Sequence, residues 1–161
     1  MEPTDQDSPQ IHFKQINSGN VLDVCDLSET LSSDQRKMVA DNARSIAQAS
    51  CSKNSWIRAI YADETPVGFI MVHFGSDFED GIDCPGAFLW RLMIAYPFQG
   101  MGYGHKALIR LINELKAKGY QELYTSCGLG EASPESFYKL LGFTPTGEYY
   151  GDEIELVYRF N

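Results

Sequence analysis

The sequence predicts a single α/β domain built on one mixed sheet, and three observations predict it. An apolar run, Ala87 to Ile94, leads through a glycine-rich turn into a segment whose apolar positions Ala107, Leu108, Leu111, Ile112 and Leu115 fall on one helical face. Strand-like runs stand on both sides of that unit, two pairs of them joined by turn-forming residues at 63–66 and 151–152. The 161 residues, 43% hydrophobic and 22% charged, suit one core, with neither an internal repeat nor a second linker.

Each element follows from local pattern. Residues 1–10 carry acids, two prolines and little apolar content, so a disordered lead-in is expected and the domain proper is 11–161. Ile11 to Ile16 alternates apolar and polar residues, as a half-buried first strand should. Val21, Leu22, Val24 and Leu27 suggest a short helix. Ser33 to Ala49 reads as a helical region capped by Ser33 or Asp34, with Met38, Val39, Ala43, Ile46 and Ala47 inside. Trp56 to Tyr61 and Val67 to Phe74 form a hairpin about Asp63-Glu64-Thr65-Pro66. Gly75 to Gly86 is a loop bearing Asp77, Glu79, Asp80 and Asp83, which is a solvated acidic loop or, on the sharper reading, a rim that attracts cations.

Ala87 to Ile94 is apolar except for Arg91, which suits a central strand buried on both faces, and Pro97 then limits further pairing. The helix after the glycine turn should run through Lys118 and stop at Gly119. Glu122 to Ser126 is the next strand, and Ser133 is a good N-cap for a helix beginning at Pro134. Phe143 to Glu148 and Ile154 to Phe160 complete an antiparallel pair about Gly151-Asp152.

The chemistry starts at the glycine turn. Gly100, Gly102 and Gly104 remove three side chains where a helix begins, so backbone N–H groups stay bare and point outward. Unpaired donors and the positive end of the helix dipole favour phosphate. Packing alone can place one glycine there, but three at alternate positions add to the entropic cost of ordering the loop. No G-x-x-x-x-G-K-[ST] occurs, which excludes a Walker A loop. Gly102, Gly104 and Ala107 do fit G-x-G-x-x-A, with Glu122 near the ribose-binding offset. Glu122, however, opens the next strand instead of closing it, and the remaining chain is too short for a doubly wound nucleotide domain.

Gln99-Gly100-Met101-Gly102-Tyr103-Gly104 resembles the Q/R-x-x-G-x-G/A pyrophosphate loop of the GNAT superfamily of N-acetyltransferases, and Ser133 to Phe143, SPESFYKLLGF, resembles that family's short tyrosine-bearing helix ending in L-G-F. The resemblance implies a sheet with a cofactor cleft between two diverging central strands. It implies acetyl-coenzyme A as cofactor, with Gln99 to Gly104 at the diphosphate and Leu92, Met93 and Ile94 along the pantetheine arm and thioester. Ser133 and Lys139 would add cofactor contacts, and Tyr138 would stand beside the coenzyme sulfur as general acid. Some relatives carry a glutamate base on the central strand where this chain has Trp90, and an asparagine where it has Glu131; Ser133 is the side chain available to stand in for the latter. The segment Val39 to Ala49 resembles an element of the bacterial diamine and polyamine branch, where it flanks the acceptor. Asn42 and Trp90 are accordingly expected to touch substrate, unless the segment is only a capped surface helix.

Charge narrows the partners. The formal net charge is −9, a field that repels nucleic acid and anionic membrane surfaces and concentrates cations. No apolar run approaches a membrane span and no leader pattern opens the chain, so a cytoplasmic location is expected. Cys25, Cys51, Cys84 and Cys127 form no C-x-x-C pair, and His12, His73 and His105 show no ligand spacing, so no metal is expected.

An alkylammonium must lose a proton before it can attack, at a cost of roughly 4–5 kcal/mol at neutral pH. Carboxylates attract the cation yet oppose that loss, so acids are best placed about the distal charges of a polyamine. Glu148, Asp152, Glu153 and Glu155 cluster near the last two strands, and Glu148 and Glu155 are the expected substrate contacts. Spermine, spermidine or another diamine is therefore the expected acceptor. A protein N-terminus, an amino acid, an aminoglycoside, or a silent acetyl-coenzyme A sensor stay open, as does a two-step route through Cys127, for which no paired histidine is evident. A backbone N–H near Met93 or Ile94 is the expected oxyanion donor. The resemblance also allows a homodimer.

Overall fold

A computed structural model describes residues 8–75 and 86–161. The acidic run Asp77, Glu79, Asp80 and Asp83 and the first seven residues lie outside that set.

Seven strands form one sheet: β1 (Ile11–Lys14), β2 (Ser55–Ala62), β3 (Thr65–Phe74), β4 (Ala87–Ile94), β5 (Glu122–Cys127), β6 (Thr144–Tyr150) and β7 (Glu153–Arg159). Their order across the sheet is β1-β2-β3-β4-β5-β7-β6. All neighbours are antiparallel except β4 and β5, which run parallel and are joined by a crossover. The final hairpin inserts β7 between β5 and β6, so β6 is left at the edge, where Pro145 costs the ladder nothing.

Helices cover both faces. α4 (Tyr103–Ala117) buries the five residues predicted from its period, and α5 (Glu135–Leu141) lies on the same face, with Tyr138 in the same cluster as Leu89, Leu123 and Leu156. The opposite face is covered by α1 (Val21–Glu29), α2 (Ser33–Arg36) and α3 (Asn42–Ser50), with Val24, Leu27 and Leu31 packed on Phe69, Met71 and Met93.

The predicted helical region 33–49 is in fact two helices. Ser32 caps α2 through a reciprocal capping box with Gln35, and Asp41 caps α3 by accepting from the Arg44 amide at 2.8 Å. Two strong caps nine residues apart start two helices, and the apolar residues between them form a turn. Elsewhere Gly119 terminates α4 at φ +90°, as expected, whereas α5 starts one residue late: its N-cap is Pro134 and not Ser133, whose Oγ accepts from the Glu135 amide at 3.1 Å from one position further out.

Candidate active site

The site is made by two central strands that separate. β4 and β5 pair only from Ala87 with Leu123 to Leu89 with Thr125. Past that point, Met71 faces Arg91 and Val72 faces Leu89 across the β3–β4 ladder, so Trp90 is an extra residue, a bulge that bends β4 away from its parallel neighbour. The slot between them opens into two cavities of about 500 and 510 Å³. The first lies towards α2 and the turn after it, and the second towards α4 and α5. Both are walled by Leu92, Met93, Ile94, Gln99, Pro134 and Tyr138.

Strand geometry decides which amides face the slot. The Ala95 N–H donates to the Val67 carbonyl at 2.8 Å, so alternation turns the polar groups of Met93 towards β3 and those of Leu92 and Ile94 towards the opening. The Ile94 carbonyl confirms the parity, since it accepts from Gln99 Nε2 at 2.9 Å. Of the two predicted oxyanion donors, only Ile94 has its N–H on the open side.

At the α4 end, Gly100 and Gly102 have φ of +78° and +82°, and a Cβ at either would meet open space. The glycines are there for conformation and for bare backbone, not to relieve a clash. Gly102 supplies no side-chain cap to α4, and among the described residues the N–H groups of 102–105 have no backbone acceptor. Such a cradle fits a diphosphate. A Cβ at Gly104 would meet Phe137 at 3.5 Å, an ordinary contact, so α5 packs close to this glycine without requiring it. Tyr103 lines the same cavity, whereas Met101 is exposed and lines neither cavity.

Tyr138 is 5% exposed. Burial pushes its phenol well above the ordinary tyrosine range, neighbouring Cys127 and Glu153 add to the rise, and a contact with Thr125 opposes it. The hydroxyl thus holds its proton at neutral pH. Cys127 stands in the same wall with Ser133 Oγ donating to its sulfur at 3.9 Å, and burial likewise raises its thiol, which leaves it a poor nucleophile.

The remaining predicted residues spread out. Ser133 is committed to Glu135 and Cys127, and Lys139 pairs with Glu135 at 2.7 Å on the surface of α5. Trp90 lines the first cavity, edge-on to His73 at 4.1 Å with the Arg91 guanidinium over its ring. Asn42 is 0% exposed and ties α3 to α1 by donating to the Val24 carbonyl at 2.8 Å, so it has no surface to offer a substrate. Glu155 is buried and accepts from Thr146 and Tyr150, and Glu148 is exposed on β6; neither lines the slot. Among the described residues the carboxylate that does is Glu153, which accepts from Ser126 Oγ at 3.2 Å. Gln35, Arg36, Lys37 and Met38 also line this half. Glu153 was visible only as one of four clustered acids; its place as the first residue of β7, beside the end of β5, is the signal that separates it. No group of three potential metal ligands occurs among the described residues.

A sheet forked at its centre, with bare helix amides at one mouth and a protonated phenol in the wall, is the architecture of an acyl-transfer enzyme. The chain belongs to the acetyltransferase (GNAT) family, whose model matches residues 24–143. It is an acetyl-coenzyme A-dependent N-acetyltransferase. No curated protein matches it. Among solved structures it is similar to an acetyltransferase from Thermus thermophilus (TM-score 0.71, 17% identity, covering 94% of this chain and 97% of that one). It is similar also to the PaiA N-acetyltransferase from Thermoplasma acidophilum in complex with coenzyme A (0.63, 15%, 94% and 99%). A GNAT acetyltransferase from Elizabethkingia anophelis with acetyl-coenzyme A bound is a third (0.67, 16%, 96% and 99%).

Proposed function

We propose that the chain acetylates a primary amine of a small cytoplasmic acceptor by direct transfer, with the amides of residues 102–105 on the diphosphate and Tyr138 as general acid. The observation that carries this reading is the placement of Tyr138 in the wall shared by both cavities, between the cradle and the acceptor half. Bound acetyl-coenzyme A supplies a thioester carbon for the amine to attack. Leu92 and Ile94 offer backbone polar groups along the slot, and the Leu92 N–H, further from the cradle, is the donor available to developing oxyanion charge. Tyr138 holds a proton for the departing sulfur. Glu153 is the carboxylate available to take a proton from the amine, directly or through water.

For the acceptor we propose a polyamine, spermine or spermidine, or another diamine. The net charge of −9 and the position of Glu153 support it. A second reading has a specific observation in its favour: Arg36, Lys37 and Arg91 line the same half of the slot, which suits an amine that also carries an anionic group, such as an amino acid or a peptide N-terminus. Thiol release from acetyl-coenzyme A with spermine, spermidine, a short diamine, lysine and an acidic amino acid separates the two. Polyamines no better than lysine reject the first reading. A thermal shift with acetyl-coenzyme A and turnover of no amine would leave a sensor. A homodimer belongs to the same proposal, and light scattering tests it.

A further inference from the structure

Gln99 opens the glycine loop, yet its side chain is not free to hold a diphosphate. Its Nε2 donates to the Ile94 carbonyl at 2.9 Å, and its Oε1 accepts from Gln35 Nε2 at 2.9 Å. Gln35 Oε1 in turn accepts from the Ser32 N–H at 3.1 Å. Two side-chain amides therefore stand in series between a backbone N–H, which can only donate, and a backbone carbonyl, which can only accept. The two ends fix the orientation of both amides: flipping either one sets oxygen against oxygen or nitrogen against nitrogen.

The consequence falls on Ile94. Its carbonyl lies on the open side of β4, at the lip of the cradle, where a bare oxygen would face an incoming anion. Gln99 covers that oxygen with a donor. Gln35 lies 64 residues earlier, on α2, and lines the acceptor half but not the cradle.

We propose that Gln35 is a positioning residue for coenzyme binding: by accepting from Ser32 and donating to Gln99 it locks the polarity of Gln99, which keeps the Ile94 carbonyl capped at the diphosphate mouth. The inference rests on the diphosphate reading above and assigns to a residue of the acceptor half an effect on the other substrate.

Calorimetry of coenzyme A against the folded, full chain tests it with two variants, Gln35→Leu and Gln35→Glu. Loss of one net hydrogen bond should weaken coenzyme A about fivefold in Gln35→Leu. Gln35→Glu preserves the capping box of α2, since glutamate serves that position as well as glutamine. It can only accept, however, so Gln99 must turn its Nε2 towards it and point Oε1 at the Ile94 oxygen. The relay therefore predicts that Gln35→Glu binds at least as weakly as Gln35→Leu, measured at about 1 M salt, where the screening length is about 3 Å and simple repulsion is suppressed. If Gln35 serves only α2, Gln35→Glu binds like the parent, and the proposal is overturned. In a cycle with Gln99→Met, the double variant Gln35→Leu/Gln99→Met should be no worse than Gln99→Met alone, and additive losses overturn the relay as well. A parent chain that binds no coenzyme A sinks the diphosphate reading itself, an outcome distinct from both.

Discussion

Thr125 Oγ1 donates to the Leu89 carbonyl at 2.9 Å, at the last rung before the two central strands part. Leu89 is the last β4 residue in the ladder with β5, and the Thr125 hydroxyl adds a side-chain donor to its oxygen. Both residues are buried. Thr125→Val keeps the shape and removes that side-chain donor from a buried carbonyl at the fork. The expected loss is about 1–2 kcal/mol of stability, read from the denaturant midpoint with unchanged slope.

Removing the phenol separates binding from chemistry. Tyr138→Phe should bind coenzyme A as the parent does while turnover falls about 100-fold, the low end for a lost general acid. Unchanged turnover would take the residue out of the mechanism.

The same phenol makes stability depend on alkaline pH. Its proton is held more tightly in the folded chain than in the unfolded one, so the unfolded state ionises first. Stability from this group is complete below about pH 10, the ordinary tyrosine value, and declines as pH rises beyond it. Tyr138→Phe should flatten that decline in thermal melts between about pH 9 and 11. A parallel decline in both proteins would show that the phenol is not its source.

Thiol reactivity distinguishes direct transfer from a two-step route. Cys51 is exposed and Cys127 buried with its thiol raised, so iodoacetamide at neutral pH should label Cys51 and spare Cys127 in the folded protein. An acetylated Cys127 trapped after mixing with acetyl-coenzyme A would restore the covalent route.

Two glycines should fail for opposite reasons. Gly102→Asp meets open space but must adopt φ +82° and puts a charge in the cradle, so the chain should fold, about 1 kcal/mol less stable, and lose coenzyme A. Gly68→Ala would place its Cβ 2.4 Å from the Met93 backbone oxygen, which cannot move without shifting β4. A loss of roughly 2–3 kcal/mol is expected there, with binding and folding failing together.

The sheet was legible because its signals are local. Alternation and turn residues located β2, β3 and β7, and the apolar stripe of α4 was read residue for residue. The division of 33–49 is not legible in the sequence, because apolar residues at 38–40 continue a helical period that the two caps interrupt. The cradle was visible as glycine spacing, and Tyr138 through a resemblance. Asn42 and Glu155 were not separable from true slot residues, because each is a polar side chain near the right segment whose partners come from elsewhere in the chain: Val24 for the first, Thr146 and Tyr150 for the second. Glu153 and the Gln35–Gln99 bridge depend on strand register and on a contact spanning 64 residues, which no window of sequence contains.

Trp90, the extra residue of β4, has a further effect on handedness within the strand. Ala87 and Leu89 point to the α4 side, and so do Leu92 and Ile94, although odd and even positions of an uninterrupted strand would point apart. One supernumerary residue has switched the phase. Were β4 paired without the bulge, with Trp90 in a regular place, strict alternation from Leu89 would swing Leu92 and Ile94 to the α1 side and Met93 to the other, and present the wrong edge of the backbone to the slot. One extra residue in one strand thus decides which side chains and which backbone edge of β4 line the slot.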